Sequence, residues 1–392
     1  MKKFLSMLVP VLLATTLLVG CSNSDDGGGD SSSNSSSAET FLIGGSGPLT
    51  GDYAQYGIAV KQGAQIAIDE INAIGGVNGM LLEVKIEDDQ ADPANSPSAY
   101  ATLYDSGMKV SLGGVTSGAC LSAVAEAEKD GILVVTPTAT LLEIVEPANV
   151  FRVCFNDPSQ GTYAADFISK NNIASEVAIL YDKSSDYSVG VTETFVDQAK
   201  DLGLDILTQQ AFTSQSNVDF SVQLEAVKAS GAELLFLPIY YNEAALILTQ
   251  ADQIGLDVIF FGCDGVDGIL QAIGESNVHL TENLMLLTPF AADSSEPIVA
   301  NFTASYQNSY NLTPDQFAAD GYDAIYIIKE AIETAGITDM NDDDLDSKLI
   351  EAMTQIEVKG TTGTMTWSED GEPIKDATAV IIKDGVYVAF DN

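Results

Sequence analysis

Three features of the sequence predict an α/β fold built as two doubly wound parallel-sheet lobes. From residue 40 onward, short apolar runs alternate with amphipathic stretches, the runs are continuously apolar, and the alternation goes round twice. Strands apolar on both faces must be covered by helices on both sides, as in parallel sheets. Strand–helix alternation in turn implies right-handed crossovers. About 350 residues follow the N-terminal segment, more than one hydrophobic core usually holds, so two lobes are expected.

In chain order, strands are expected at 41–45, 81–87, 109–113, 132–137 and 150–155, then at 176–181, 204–211, 233–239, 258–262 and 284–289. The rounds are 41–138 and 176–262, each about four βα units. Between strands, 59–74 carries Ala64, Ile66, Ala67, Ile68, Ile71 and Ile74 at helical spacing. Helices dominate after Pro289, including 314–336. The end of the chain differs: 360–367, a Gly/Glu/Pro turn at 370–373, then 377–382 and 386–390 around Lys383-Asp384-Gly385. Asp-Gly between apolar runs signals a hairpin, and this whole antiparallel tail is expected as an added edge of the second lobe.

The first residues are not fold. Lys2-Lys3 and the apolar run 4–19 have the layout of a secretory signal, too short to span a bilayer. The run ends Leu18-Val19-Gly20-Cys21, which resembles a bacterial lipobox, with Cys21 as the lipidated first residue. Residues 21–39, mostly Ser, Gly, Asn and Asp, are expected to be a flexible tether. Cleavage would leave 14 basic against 57 acidic residues, a balance of −43. Such a charge repels nucleic acid and anionic lipid, which excludes both as partners. The run Asp342-Asp343-Asp344-Leu345-Asp346 lacks the glycine of a calcium loop and reads as a solvated helix start.

Enzyme chemistry finds little support. The one histidine, His279, lies far from any activated Ser or Cys, and Gly44-Gly45-Ser46-Gly47-Pro48 breaks the nucleophile-elbow pattern at its last position. No phosphate-binding loop occurs, and carboxylate pairs carry no information in so acidic a chain. Cys120, Cys154 and Cys263 form no CxxC pair, so neither a zinc site nor any other metal or cofactor is expected. A Cys120–Cys154 disulfide and three buried thiols are the alternatives for them.

The chain does offer polar groups at the C-terminal ends of strands, where open α/β sheets bind ligands. The stretch 113–140 is the richest. Gly113-Gly114-Val115-Thr116-Ser117-Gly118-Ala119 leads into a helix, and a strand then closes on Thr136-Pro137-Thr138-Ala139-Thr140. A helix N-terminus with hydroxyls beside it suits a carboxylate, although Ser117 could equally be an ordinary N-cap. Elsewhere strand ends present Ala54-Gln55-Tyr56-Gly57, a loop ending in Tyr187, Pro238-Ile239-Tyr240-Tyr241-Asn242-Glu243, and Gly262-Cys263-Asp264. One lobe thus supplies hydroxyls, and the other an acid and tyrosines.

These motifs, in this order, resemble the branched-chain amino acid (leucine/isoleucine/valine)-binding proteins of ABC transporters, a type I periplasmic binding protein group. The likeness runs from 40 to 390. It includes Gly47-Pro48-Leu49-Thr50-Gly51, Ile71-Asn72-Ala73-Ile74-Gly75-Gly76-Val77-Asn78-Gly79, Asp88-Asp89 with Asp92-Pro93, Phe151-Arg152, Gln160-Gly161 and Gly363-Thr364-Met365-Thr366-Trp367. The resemblance implies lobes of 40–156 plus 289–367 and 157–288 plus 368–392, hinged at three strand crossings near 156, 288 and 368. It implies that Ser117 and Thr140 hold an α-carboxylate, that the Thr138 carbonyl and Asp264 take the α-ammonium, and that Ala139 belongs to the same wall. Tyr56 would line the side-chain pocket, with Tyr187 and Tyr240 closing it. The implied protein is a monomeric, lipid-anchored receptor on the outer face of a Gram-positive cytoplasmic membrane, delivering an aliphatic amino acid to a permease. Uncharged amides or urea, or a signalling rather than a transport role, are the alternatives on the same scaffold. Asp264 stands where close relatives carry Glu, Val266 where many Gram-positive members have Trp, and Thr116 and Ala91 in place of a cysteine pair. Asp157 adds a second acid near the hinge.

Overall fold

The computed structural model describes residues 40–375 and 378–390. The signal segment, Cys21 and the tether therefore lie outside the described residues. The first round places β1 (Thr40–Gly47), α1 (Ala54–Ala73), β2 (Leu81–Asp88), α2 (Ser96–Asp105), β3 (Val110–Gly114), α3 (Ser117–Asp130), β4 (Val134–Thr136) and β5 (Val150–Arg152). The second places α4 (Asp157–Lys170), β6 (Glu176–Asp182), α5 (Asp186–Leu202), β7 (Asp205–Phe212), α6 (Ser221–Ser230), β8 (Leu234–Leu237), α7 (Tyr241–Ile254), β9 (Ile259–Gly262), α8 (Ile269–Ala272) and β10 (Met285–Thr288). Then follow α9 (Pro297–Tyr310), α10 (Gln316–Thr334), α11 (Leu345–Met353), β11 (Glu357–Gly360), β12 (Gly363–Trp367), β13 (Pro373–Ile374), β14 (Thr378–Lys383) and β15 (Val386–Ala389). The acidic run does precede a helix, with Asp344 at the cap of α11.

Both main sheets use the same strand order. The first is β2-β1-β3-β4-β5, all parallel. The second runs β7-β6-β8-β9-β10 in parallel and then adds the antiparallel β14 and β15 at its edge. The added edge is the expected hairpin. Asp384 and Gly385 take φ of 52° and 74°, the double positive φ that a tight two-residue hairpin turn requires. The 360–367 part of the tail does not join that edge: β12 pairs instead with β11 and β13 in a separate three-stranded antiparallel sheet. In each main sheet the order reverses beside the first strand of its round, and that switch point opens a crevice at the strands' C-terminal ends.

The first sheet is covered by α1, and α10 lies across α1 at backbone contact. A Cβ built on Gly63 would fall 1.8 Å from the Ala318 carbonyl oxygen, and one on Gly321 2.5 Å from that of Val60. Two glycines, one from each helix, permit this approach. Helix propensity alone favours alanine over glycine by roughly 1 kcal/mol, so a loss on substitution isolates the contact. Gly63→Ala is expected to destabilise the fold by roughly 1–3 kcal/mol, measured by denaturant unfolding.

Cys120, Cys154 and Cys263 are free and buried, so the Cys120–Cys154 pairing is not formed. Two of the thiols have another neighbour: Cys120 Sγ lies 3.4 Å from the Thr136 hydroxyl, and Cys154 Sγ 3.5 Å from the Ala139 carbonyl. Burial pushes all three thiols above their usual range, which keeps them protonated and unreactive.

Candidate functional site

Strand ends of both sheets converge on one small cavity. After β3 and β4 come Val115, Thr116, Ser117, Thr138 and Thr140; the first turn of α1 adds Tyr56 and that of α10 adds Phe317. Facing them are Tyr187 from α5, Tyr240 before α7, and Asp264 and Gly265 after β9. Seven of the eight residues singled out from sequence therefore meet in one place. Tyr56 and Tyr187 are almost completely buried, and Ser117, Thr138, Thr140 and Asp264 are each below a tenth exposed.

Thr116, not Ser117, is the cap residue of α3, and its side chain makes no capping bond. Ser117 is the first helical residue and turns its hydroxyl sideways. Ser117 Oγ accepts the N–H groups of Thr140 (3.2 Å) and Leu141 (3.3 Å) and lies 3.3 Å from Thr140 Oγ1. Thr138 donates its hydroxyl to the Val115 carbonyl at 2.8 Å, so that hydroxyl is committed to the fold. Ala139 departs from its neighbours. It is fully buried and absent from the cavity wall; its carbonyl accepts from Arg152 Nη1 behind the wall.

Asp264 is held on three sides. Its Oδ1 accepts from the Tyr187 hydroxyl (2.8 Å) and the Gly265 N–H (2.7 Å), its N–H donates to Gln160 Oε1 (3.1 Å), and its carbonyl accepts from Gln316 Nε2 (2.9 Å). Burial pushes its carboxyl up to about 6 against these hydrogen bonds, which pull the other way. A buried acid so placed favours a cation beside it. Tyr187 and Tyr240 stack at 5.2 Å, Tyr240 meets Tyr56 edge-on at 5.5 Å, and Tyr56 packs on Phe317 at 4.2 Å. Burial raises the Tyr56, Tyr187 and Tyr240 phenols, so they stay neutral donors.

Hydrogen bonds also cross the crevice. Tyr56 donates to the Gly265 carbonyl and accepts from Tyr241 N–H at 3.2 Å. Tyr241 donates to the Asp52 carbonyl (2.9 Å), Tyr53 donates to Glu243 (2.6 Å), and Gln316 N–H donates to Asp267 (2.9 Å). Phe317 and Gln316 had no signal in the sequence, because they reach the site only by the packing of a helix more than 250 residues after Tyr56. Tyr53, three residues before Tyr56 and next to the Ala54–Gly57 segment, could have been found from that proximity.

Among the described residues no cluster of His, Cys, Asp and Glu could hold a metal, and no helix is long and apolar enough to cross a membrane. Fold and site together define a binding protein whose two parallel sheets meet, strand end to strand end, at one cavity. The chain belongs to the periplasmic binding protein family, which it matches over residues 40–386. That family binds solutes and is not a family of enzymes. The chain is 31% identical over 333 residues to a Leu/Ile/Val-binding protein homolog of Brucella melitensis, covering 84% of this chain and 88% of the relative. It is 30% identical over 342 residues to a leucine-, isoleucine-, valine-, threonine- and alanine-binding protein of Pseudomonas aeruginosa, covering 86% and 87%. Two crystal structures share its architecture at a TM-score of 0.81. One is a leucine-binding protein of Thermotoga maritima, at 29% identity, covering 90% of this chain and 98% of the other. The second, with the same coverage at 28% identity, is a branched-chain amino acid transporter substrate-binding protein of Streptococcus pneumoniae in complex with isoleucine.

Proposed function

We propose that this protein captures a branched-chain or other aliphatic amino acid and delivers it to the permease of an ABC importer. The observation that carries the reading is the polarity of the cavity. The hydroxyls of Ser117 and Thr140 stand at one end, and the Asp264 carboxylate, from the opposite sheet, at the other. A zwitterion satisfies both ends with charge-assisted hydrogen bonds. The aromatic and apolar wall of Tyr56, Tyr240, Phe317 and Val115 suits a short apolar side chain, and the names of the relatives agree. Ligand contacts from both sheets exist only in the closed form, so binding shifts the population toward it. The lobes would be 40–156 plus 289–367 and 157–288 plus 368–392, turning about crossings near 156, 288 and 368. The finer placement is a monomer anchored through Cys21 on the outer face of a Gram-positive membrane.

Calorimetric titration with amino acids, acetamide and urea tests the reading. Leucine, isoleucine or valine should bind, while analogues lacking either the amine or the carboxylate should not. Binding of acetamide or urea with no amino acid binding would overturn it.

A further inference from the structure

We propose that Asp157 is a positioning residue of this site: its carboxyl group, held in the neutral form, donates to the Thr140 hydroxyl and so frees the Thr140 and Ser117 protons for the ligand's anionic end. The inference rests on the amino acid reading above and goes beyond it by adding a residue outside the cavity wall.

Asp157 opens α4, and its N–H donates to the Thr140 carbonyl at 2.9 Å, so its side chain starts beside that residue. It is 1% exposed, and neither carboxyl oxygen has a hydrogen-bond partner of good geometry. The face of α5 packed against it is bare: a Cβ on Gly190 would sit 3.3 Å from Asp157 Oδ2. An acid so enclosed without a donor is not a settled carboxylate.

The hydroxyls limit what can be arranged. A hydroxyl has one proton and two acceptor positions. Ser117 Oγ already accepts from the N–H groups of Thr140 and Leu141, so it can only donate. Thr140 Oγ1, 3.3 Å from it, also has a single proton. An ionised Asp157 would draw the Thr140 proton to itself and leave oxygen lone pairs facing an anion. A protonated Asp157 donates to Thr140 Oγ1 instead, and both hydroxyl protons then face the cavity.

The groups around Asp157 favour that second arrangement. Burial is the largest influence and holds its carboxyl well above the usual range, and Asp264 and Glu143 push the same way. The Thr140 hydroxyl and Arg152 oppose them. Arg152, however, is already engaged by the Ala139 and Leu141 carbonyls and by Glu372. Tyr240 and Cys263, which also feel the Asp157 charge, are themselves neutral.

The test is leucine binding by calorimetry from neutral to alkaline pH. It uses wild type, Asp157→Ala, Asp157→Asn, Thr140→Val, Asp264→Ala and the pairs of Asp157→Ala with Thr140→Val and with Asp264→Ala, with thermal midpoints confirming that each is folded. Asp157→Ala is expected to weaken binding about tenfold at neutral pH, the scale of one hydrogen bond. Asp157→Asn keeps an N–H donor and should recover most of that loss. Wild-type affinity should fall on the alkaline side relative to Asp157→Asn, and the double variant should be no weaker than Thr140→Val alone. If Asp157→Asn binds as poorly as Asp157→Ala, with the loss coupled to Asp264→Ala rather than to Thr140→Val, Asp157 is an ionised partner of the ligand's cation and the inference is wrong. Superimposable pH profiles for wild type and Asp157→Asn would also overturn it while leaving the amino acid reading intact. If wild type binds no amino acid at all, that reading fails and this inference with it.

Discussion

Asp264→Ala is expected to weaken binding of the preferred amino acid at least about a hundredfold, roughly 3 kcal/mol, the cost of stripping one partner from a buried charge pair. The magnitude follows from enclosure. Asp264 is 8% exposed and pinned by Tyr187 and Gly265, so the carboxylate neither moves away nor recruits bulk water. Removing it leaves an ammonium in a closed cavity with no counter-charge. The carboxyl's elevation to about 6 adds a second readout. A cation stabilises the ionised form, so a bound ligand lowers this value and binding below about pH 6 must expel a proton. Affinity should therefore fall progressively as pH drops below about 7 and through 6. Asp264→Asn should bind weakly and show no such fall. Calorimetry across this range decides the matter; a wild-type profile that stays flat down to pH 5 would exclude Asp264 as the cation's partner.

The strand ends were legible because two independent patterns converge on them. Continuous apolar runs marked the strands, and hydroxyl, tyrosine or acid residues followed directly after them, at Ser117, Thr138, Thr140, Tyr187, Tyr240 and Asp264. The parallel-sheet rule then sent all these ends to one crevice. Ala139 shows where a segment-level reading stops. The chain bends just past β4, which ends at Thr136, so neighbouring residues of the segment need not share a face. Thr138 and Thr140 line the cavity, while Ala139 backs onto Arg152 and Cys154. The cysteines show a different limit, since sequence separation says nothing about which way a thiol points once Thr136 and the Ala139 carbonyl occupy the space around two of them. Phe317 and Gln316 needed the close approach of α10 to α1, set by two glycines that no local motif distinguishes from ordinary helix glycines.

Arg152→Ala is expected to cost roughly 3–5 kcal/mol of stability, the range for breaking a buried ion pair from one side. Arg152 is the only arginine in the chain and is fully buried. Its guanidinium donates to the Ala139 carbonyl and, at 2.7 Å, to the Leu141 carbonyl, and Nε lies 3.2 Å from Glu372. Its backbone is tied in as well. The N–H donates to the Gly371 carbonyl at 2.9 Å, and the carbonyl accepts from Trp367 Nε1 at 2.7 Å. One side chain thus joins the back of the Thr138–Thr140 wall to the 367–372 segment, the third of the proposed crossings. Losing it strands two carbonyls and a carboxylate in a chain already carrying 57 acidic residues. Arg152→Lys should rescue only part of the loss, because a single ammonium cannot serve carbonyls and carboxylate in the fixed fork that guanidinium provides. Denaturant unfolding gives the stability term. Calorimetry on whatever folded fraction remains should show weaker amino acid binding too, since Thr140 and the Leu141 N–H that holds Ser117 both sit on the loop Arg152 anchors. Full stability with full affinity in Arg152→Ala would mean that the wall stands without its brace, and that the charge of Arg152 matters only to Glu372.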